Sequence, residues 1–321
     1  NARRISRHNV PWVNKRRFSN SEWVAAQQEH LSIKGRLTTP PSLADSLLYP
    51  LVVIPRGGPP ELNSVSPTYS WFERQYLAAR GYGVLEVWPR GSEGAGATFR
   101  RLNYQNWGPG PAGDVLAVAD SVLSRDWINP RQQVLAGHSY GGYLTAWLIS
   151  HTNRFQAAVG QGGVYDLSTF FGDGTAWPLI AEQFGGYPWD RAPASNPPAL
   201  RAPKPLLSVG LLPAPDTTMA PQEAVRHNSP LTYAHQIETP LLLLHGAKDR
   251  QMGSTQAEML YRRLKILGRP VELVRYPGTN HDFSTSATPA QRLDSLSRLF
   301  EFLARFSDAG GHLPSQTTSA P

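Results

Sequence analysis

From about residue 48, short apolar runs alternate with amphipathic segments, and this alternation is what most constrains the fold. The apolar runs are nearly continuous in Val, Leu and Ile, as in strands buried on both faces of a parallel sheet. They cover residues 48–55, 82–88, 133–137, 157–160, 240–245 and 271–276. The segments between them predict helices over 71–80, 114–125, 143–151, 255–267 and 290–305. This order predicts an α/β fold, a mostly parallel, twisted sheet with helices on both faces.

The first 45 residues differ from this pattern, because they are polar and basic. Residues 19–30 open with good N-cap residues and predict a helix, and residues 30–38 predict a short strand. We expect residues 1–45 to be an N-terminal extension that packs on a catalytic domain covering residues 46–307.

Two later stretches also interrupt the alternation. Residues 188–226 are rich in proline and have few periodic apolar positions, which predicts a long loop or a small lid. Residues 308–321 are mostly Gly, Ser, Thr and Pro, which predicts a flexible tail.

Composition excludes several classes of function. Hydrophobic residues make up 40% of the 321 residues and charged residues 17%, which indicates a compact, enzyme-sized body. The net charge of +7 comes with no nucleic-acid motif, and net charge alone speaks to solubility and steering, so we expect no nucleic-acid partner.

The absence of cysteine rules out disulfides, thiolate metal sites and a cysteine nucleophile. No apolar run approaches the roughly 18 residues of a membrane span, and the N-terminus lacks the apolar stretch of a signal peptide. We therefore expect a soluble protein, cytoplasmic or periplasmic/secreted, with no membrane partner. We also expect no cofactor and no metal site.

The central chemical motif is G-H-S-Y-G at residues 137–141, which directly follows a predicted strand and directly precedes a predicted helix. In a nucleophile elbow, serine occupies a strained strand-to-helix turn, and the flanking glycines avoid collisions with neighbouring elements. An isolated G-x-S-x-G is a weak signal. Here the strand, the helix and a third glycine, Gly142, accompany it, which predicts Ser139 as a nucleophile and not part of an ordinary glycine turn.

A serine hydroxyl needs a general base, which an acidic side chain orients, and in this fold the chain order is Ser, acid, His. His281 lies in a loop just after the strand predicted over 271–276, where it can reach the top of the sheet. His245 ends a predicted strand, and His151 closes the helix after the elbow, so packing and capping roles are expected for them. The pattern therefore predicts His281 as the base.

Asp249 is the predicted acid, because it follows the strand predicted over 240–245. Asp282 is adjacent to His281 in the sequence and would have difficulty reaching that ring, so we expect it to be a solvated loop carboxylate. Asp166 and Asp173 lie nearer the strand at 157–160 and are weaker alternatives.

An oxyanion hole needs two donors. The backbone N–H of Tyr140 is the first candidate, and the loop after the strand at 48–55, with Gly57 and Gly58, is the second. The proline-rich stretch is expected to border the mouth of the site, with Trp177, Phe184 or Trp189 lining an apolar acyl pocket; a solvent-facing excursion on the far side is the alternative.

With these parts in place, the chain resembles the catalytic domain of the prolyl oligopeptidase family of serine peptidases, most of all its acylaminoacyl-peptidase and dipeptidyl-peptidase branches. The resemblance runs from about residue 45 to 305. Its motifs are R-G-G-P at 56–59, Q-Y-L-A-A-R-G-Y at 75–82, R-G-S-E-G at 90–94, W-G at 107–108, D-V at 114–115, G-H-S-Y-G-G-Y at 137–143, R-F-Q-A-A-V at 154–159, F-G-G at 184–186, S-P-L-T-Y at 229–233, the run 239–249 and V-E-L-V-R-Y-P at 271–277. The resemblance implies an eight-stranded α/β-hydrolase sheet and the triad Ser139, Asp249 and His281.

The chain departs from the family pattern at three places. Arg56 stands where the family usually has histidine, so the contact that anchors this loop must differ. Gln251 stands where the family often has an arginine that holds a substrate carbonyl, and Arg250, one residue earlier, is the candidate for that role. The stretch 188–226 is longer than expected.

The resemblance implies a serine hydrolase that cleaves short peptides or acyl-amino acids through an acyl-enzyme; a carboxylesterase acting on small acyl esters is the alternative. A catalytically idle binding module would need a broken triad, and no triad position is broken. Family members place a β-propeller before this domain, and residues 1–45 resemble the segment that leaves it. The chain is then either the C-terminal part of a longer protein or a propeller-free relative. The residue preferred at the cleavage site and the oligomeric state, a homo-oligomer included, stay open.

Overall fold

The computed structural model describes residues 7, 10–44, 46–56, 67–92, 95–191 and 219–307. Within these residues, eight strands form one sheet in the order β1-β2-β4-β3-β5-β6-β7-β8. The strands are β1 Ser21–Gln28, β2 Leu31–Thr38, β3 Tyr49–Pro55, β4 Gly83–Trp88, β5 Ile128–His138, β6 Ala158–Gln161, β7 Leu241–Gly246 and β8 Val271–Tyr276.

Helices occupy the connections between the strands. They are α1 Val10–Asn14, α2 Pro67–Ala78, α3 Gly96–Arg101, α4 Pro109–Val122, α5 Tyr140–Ile149, α6 Phe170–Asp173, α7 Trp177–Phe184, α8 Pro221–His227, α9 Thr255–Ile266, α10 Phe283–Ser286 and α11 Pro289–Ala304, with a 3₁₀ helix at Pro230–Gln236. None of the described helices is long and apolar enough to cross a bilayer.

Strands β3 to β8 are parallel and separate two apolar layers. Strand β7 makes the division visible, because successive side chains of a strand point to opposite faces. Leu241 and Leu243 pack in the layer built from α4, α5 and α9, whereas Leu242 and Leu244 pack with α2 and α11. The predicted α/β-hydrolase architecture, an eight-stranded and mostly parallel sheet with helices on both faces, is confirmed.

The helix predicted over residues 19–30 is wrong. Strand β1 pairs antiparallel with β2, which pairs antiparallel with β4, so this segment forms the edge of the sheet. Trp23 is 66% exposed, and only alternate side chains of β1 face the protein. N-cap residues also open turns and strands, and pairing with β2 supplies the backbone hydrogen bonds that a helix would have made internally. The sheet thus draws strands from both sides of the boundary expected at residue 45.

The loop predicted over residues 188–226 is described only at its ends. Residues 192–218 lie outside the described residues, as does the tail at 308–321. Helix α8 begins at Pro221, so the C-terminal end of this stretch is helical and not a loop. Proline suits that position because the first turn of a helix leaves its N–H groups without intrahelical partners.

Candidate active site

The turn between β5 and α5 places Ser139 at the carboxyl end of the sheet. Its backbone has φ 59° and ψ −122°, a conformation that residues with a side chain rarely adopt. Its N–H donates to the carbonyl oxygen of Gln161 on β6 (2.8 Å), which anchors the turn to the neighbouring strand.

The glycines of the elbow are required by contact, as the sequence predicted. A Cβ on Gly137 would collide with the carbonyl oxygen of Gly141, and a Cβ on Gly141 would collide with that of Pro55 at the end of β3. A Cβ on Gly142 would lie 3.0 Å from the carbonyl oxygen of Gln161. Helix α5 therefore approaches the strand ends so closely that a side chain collides with backbone at positions 137 and 141 and is crowded at position 142.

Three residues from three separate loops form a chain of hydrogen bonds beside this turn. Ser139 Oγ lies 2.9 Å from His281 Nε2, and His281 Nδ1 lies 2.8 Å from Asp249 Oδ2. His281 and Asp249 are buried. The structure thus brings together the three residues that the sequence proposed as nucleophile, base and acid, in the order that a serine hydrolase requires.

Both oxygens of the Asp249 carboxylate are engaged. Oδ1 accepts the backbone N–H groups of Gln251 and Met252, each at 3.0 Å, while Oδ2 faces His281 and His245. Burial pushes the pKa of Asp249 up, but the imidazoles of His245 and His281 outweigh it and hold that pKa well below its ordinary value. Asp249 is therefore an ionised carboxylate in a fixed orientation.

His245 was expected to be only a packed strand-end histidine. It is fully buried as expected, but its Nε2 lies 3.0 Å from Asp249 Oδ2, the same oxygen that binds His281. The approach is close without being aligned as an N–H hydrogen bond, and Nδ1 has no hydrogen-bond partner among the described residues. The signal in the sequence was the four-residue spacing from His245 to Asp249 across the turn that ends β7.

The loop that carries His281 crosses the end of β7 at close range. Lys248 N–H donates to the carbonyl oxygen of Thr279 (2.8 Å), and a Cβ on Gly246 would collide with the carbonyl oxygens of Thr279 and Asn280. Glycine at position 246 thus lets the base loop reach the acid loop.

The rival carboxylates are engaged elsewhere. Asp282 caps α10 by accepting the N–H of Ser284 and the hydroxyl of Thr285, both at 2.9 Å. Burial raises the pKa of Asp282, but these hydrogen bonds lower it below its usual value. Asp166 accepts the N–H of Ser168, and the carboxylate of Asp173 accepts the hydroxyl of Thr255.

Arg56, which directly follows β3 and stands where the family usually has histidine, is held by an ion pair. Its Nε lies 2.9 Å from Oε1 of Glu86, a fully buried carboxylate on β4. Arg36 and Arg74 bind the other oxygen of Glu86 at 2.7 and 3.0 Å, and Ser70 donates to Oε1 at 2.9 Å. Arg56 therefore acts through a buried ion cluster. Gly57 and Gly58, the candidate oxyanion donors that follow it, lie outside the described residues.

The other candidate oxyanion donor, the N–H of Tyr140, belongs to the first residue of α5. The first N–H groups of a helix have no intrahelical acceptor and carry the positive end of the helix dipole. Tyr140 itself is held by its hydroxyl, which donates to the carbonyl oxygen of Trp107 at 2.6 Å.

Four aromatic side chains that follow β6 form a group that we call the aromatic cluster: Phe171, Trp177, Tyr187 and Trp189. The Tyr187 and Trp189 rings stack with centroids 5.0 Å apart, and Phe171 and Trp177 lie within 6.4 Å of Tyr187. Trp189 is 63% exposed. The cluster is thus an apolar surface that stays partly open to solvent.

Backbone hydrogen bonds tie this region to the acid loop. Thr175 N–H donates to the carbonyl oxygen of Arg250 (2.8 Å), and Ala176 N–H donates to that of Gln251 (3.3 Å). Trp177 follows directly, so it lies near the residues that come after Asp249. The side chain of Arg250 is exposed.

Phe184 requires a correction, because it was expected to line an acyl pocket. It is fully buried, with its ring 5.4 Å from that of Trp107 in the core next to α5. A side chain without accessible surface cannot contact a substrate, so Phe184 is a core residue and not part of a pocket wall. The apolar face of α7 packs in the core. In the sequence, such a face looks the same as one that would line a substrate pocket.

Comparison with known proteins places this chain in a family. The model of the prolyl oligopeptidase family matches residues 67–205 and 213–309. The uncharacterized peptidase YuxL of Bacillus subtilis is 33% identical over 283 residues, which cover 84% of this chain and 36% of that protein. The acylamino-acid-releasing enzyme of Rattus norvegicus is 28% identical over 261 residues, covering 80% of this chain and 32% of that enzyme. The chain therefore spans about a third of the length of these curated relatives.

Solved structures agree on the fold. The acylaminoacyl peptidase of Pyrococcus horikoshii superposes with a TM-score of 0.78 at 22% identity, covering 95% of this chain and 44% of that one. A peptidase of Mycobacterium tuberculosis that hydrolyses puromycin gives a TM-score of 0.70 at 22% identity, covering 90% and 39%. With the family model matching most of the chain, the protein belongs to the prolyl oligopeptidase family.

Proposed function

We propose that this chain is the catalytic part of a serine peptidase that cleaves peptide or acyl-aminoacyl bonds through an acyl-enzyme on Ser139. The observation that carries the proposal is the continuous hydrogen-bond chain from Ser139 Oγ through His281 to Asp249. Membership in the prolyl oligopeptidase family supports the same reaction class.

In the first half of the reaction, His281 Nε2 takes the hydroxyl proton as Ser139 Oγ attacks the substrate carbonyl carbon. The carbonyl oxygen becomes an oxyanion, for which the N–H of Tyr140 and the loop at Gly57 and Gly58 are the proposed donors. The intermediate collapses by breaking the C–N bond, and the proton on Nε2 passes to the leaving amine. An ester of Ser139 with the acyl group remains.

In the second half, His281 Nε2 removes a proton from water, and the resulting hydroxide equivalent attacks the ester carbonyl. The Ser139 Cβ–Oγ bond stays intact, while the acyl C–O bond breaks and Oγ regains the proton. Asp249 accepts the Nδ1–H of His281 throughout, which fixes the proton-accepting nitrogen as Nε2 and stabilises the imidazolium formed in each half.

For the substrate, we propose that the acyl side contacts the aromatic cluster, with Trp177 and Trp189 offering apolar surface and Arg250 offering an exposed cation. This arrangement suits short peptides or N-acylated amino acids with an apolar side chain. The names of the relatives, acylamino-acid-releasing enzyme and dipeptidyl-peptidase, fit this class of substrate.

The proposal is tested by Ser139→Ala with an acyl-phenylalanyl p-nitroanilide and the matching p-nitrophenyl ester. The elbow glycines set the backbone, so we expect the variant to fold, to lose fluorophosphonate labelling and to lose about 10⁴-fold or more of its turnover. Ser121→Ala on α4 is the control and should match wild type. Near wild-type turnover in Ser139→Ala would remove the nucleophile. An enzyme that turns over the ester and leaves the anilide intact would be a carboxylesterase.

A further inference from the structure

His138 is the residue of the elbow that the mechanism above does not use. It is the last residue of β5, directly before Ser139. Its Nε2 lies 3.1 Å from the backbone carbonyl oxygen of His281, and the centroids of the two imidazole rings are 5.0 Å apart with a tilt of 32°. The residue preceding the nucleophile thus contacts the base at both its backbone and its ring.

The environment keeps this imidazole neutral. Burial lowers the pKa of His138 to about 3, and the nearby His281 and Arg56 act in the same direction against Asp249 and the backbone hydrogen bond. A neutral imidazole carries one N–H, and a carbonyl oxygen can only accept. The proton therefore lies on Nε2, and His138 donates to His281.

This hydrogen bond complements the other restraints on the base loop. The contacts of Thr279 with Lys248 and of Asn280 with Ser286 hold the segment that leads to His281, and Asp249 holds its ring. His138 joins the backbone of His281 directly to the strand that ends in the nucleophile. The distance between Ser139 Oγ and His281 Nε2 therefore depends on the hydrogen bond from His138, the residue next to Ser139, to the His281 backbone.

We propose that His138 is a positioning residue for His281, which it holds against the nucleophile turn through the Nε2–H donated to the His281 carbonyl oxygen. The inference rests on the proposed function, since it assigns His281 as the base. Loss of this hydrogen bond should mainly affect proton transfer to the leaving group. A leaving amine must receive the proton from His281 Nε2, whereas p-nitrophenolate leaves without one. Loss of the tie should slow anilide cleavage more than ester cleavage.

The test uses three variants. In His138→Gln the side-chain amide places an N–H at the position of Nε2. His138→Leu removes the donor, and in His138→Asn the side chain is too short for its amide to reach the His281 carbonyl oxygen. Rates are divided by the concentration of active sites titrated with a fluorophosphonate, so that misfolded protein does not count. We expect kcat for the anilide to fall about 10- to 100-fold in the Leu and Asn variants, with KM within about twofold, and to stay within about threefold in the Gln variant.

An unchanged kcat per titrated site in both donor-free variants, with only a lower melting temperature, would overturn the proposal and leave His138 a packing residue. A loss in the Gln variant equal to that in the Leu variant would also overturn it, because the hydrogen bond would not be the cause. These failures are distinct from failure of the proposed function, which appears as activity retained by Ser139→Ala.

Discussion

Two buried carboxylates of this protein, Glu86 within β4 and Asp249 after β7, are stabilised in different ways. Glu86 on β4 is surrounded by three arginines, at 2.7, 2.9 and 3.0 Å. Asp249 after β7 is surrounded by two imidazoles and two backbone N–H groups. Both have a pKa below the ordinary value although burial opposes the shift; for Glu86 the arginine charges outweigh burial, and for Asp249 the imidazole contacts do.

The difference separates a structural ion cluster from the proposed catalytic acid. Arginine stays protonated at any working pH, so the charge of Glu86 is balanced permanently and the cluster fixes the side chain of Arg56 at the end of β3. Asp249 accepts hydrogen bonds from the backbone N–H groups of Gln251 and Met252 and from the His281 ring, and none of these carries a permanent positive charge. The remaining negative charge is available when His281 becomes an imidazolium.

The largest effect should follow from removing the charge of Asp249. In Asp249→Asn the amide can donate to His281 and favour the wrong tautomer, so we expect kcat to fall about 10⁴-fold with little change in melting temperature. The measurement is steady-state hydrolysis of the anilide beside thermal unfolding. A loss of stability without this loss of turnover would make Asp249 an anchor like Glu86.

Glu86→Gln should give the opposite result, a loss of stability of about 3–5 kcal/mol, because it removes the carboxylate that Arg36, Arg56 and Arg74 share. Urea unfolding measures it, and Glu22→Gln, which breaks the exposed pair with Arg125, is the matched control at about 1 kcal/mol or less.

The pH dependence gives this prediction a second readout. Because folding lowers the pKa of Glu86, its contribution is fully present above the ordinary value of 4.5 and is lost as the pH falls through the folded value. The stability difference between wild type and Glu86→Gln should therefore narrow on acidification below that value. A difference that widens would contradict the ion-cluster interpretation.

A smaller effect is expected at His245, which touches Asp249 but not the reacting atoms. His245→Leu should lower kcat about tenfold, since one contact to a charged carboxylate is lost while Gln251 and Met252 still hold Oδ1. His245→Gln, which keeps an N–H near the same point, should recover most of that loss. Equal rates in both variants would assign His245 to packing alone.

The smallest effect should come from Asp282→Asn. Asparagine caps helices about as well as aspartate, so α10 should persist and turnover should stay within about threefold of wild type. A loss comparable to that of Asp249→Asn would mean that the wrong carboxylate has been assigned as the acid.

The sequence predicted the features that depend on short segments. The apolar runs predicted strands β3 to β8, and the elbow motif predicted the turn at Ser139. A strand buried on both faces and a turn that requires glycine are each recognisable from a few consecutive residues. The edge strand β1 was missed since a strand with one exposed face and a helix start share the same polar residues. What makes this segment a strand is its pairing with β2, which cannot be read from the residues of the segment alone.

The environment of Asp249 was only half predicted for a related reason. Chain order identified His281, which is 32 residues away, but His245 looked like any residue at the end of a buried strand. Whether such a side chain turns into the core or toward the acid depends on the four-residue turn after β7. Phe184 is the reverse case, in which an apolar residue near the site belongs to the core.

The strained backbone of Ser139, with φ 59°, lowers the stability of the protein at the position of the proposed nucleophile. Glycine adopts this conformation without steric strain, whereas a residue with a Cβ is strained by about 1–3 kcal/mol. Ser139→Gly removes this strain, so selection for heat resistance alone favours that substitution, and under the proposed mechanism the resulting protein lacks its nucleophile. Screens for more stable variants of this chain should therefore measure turnover in every round.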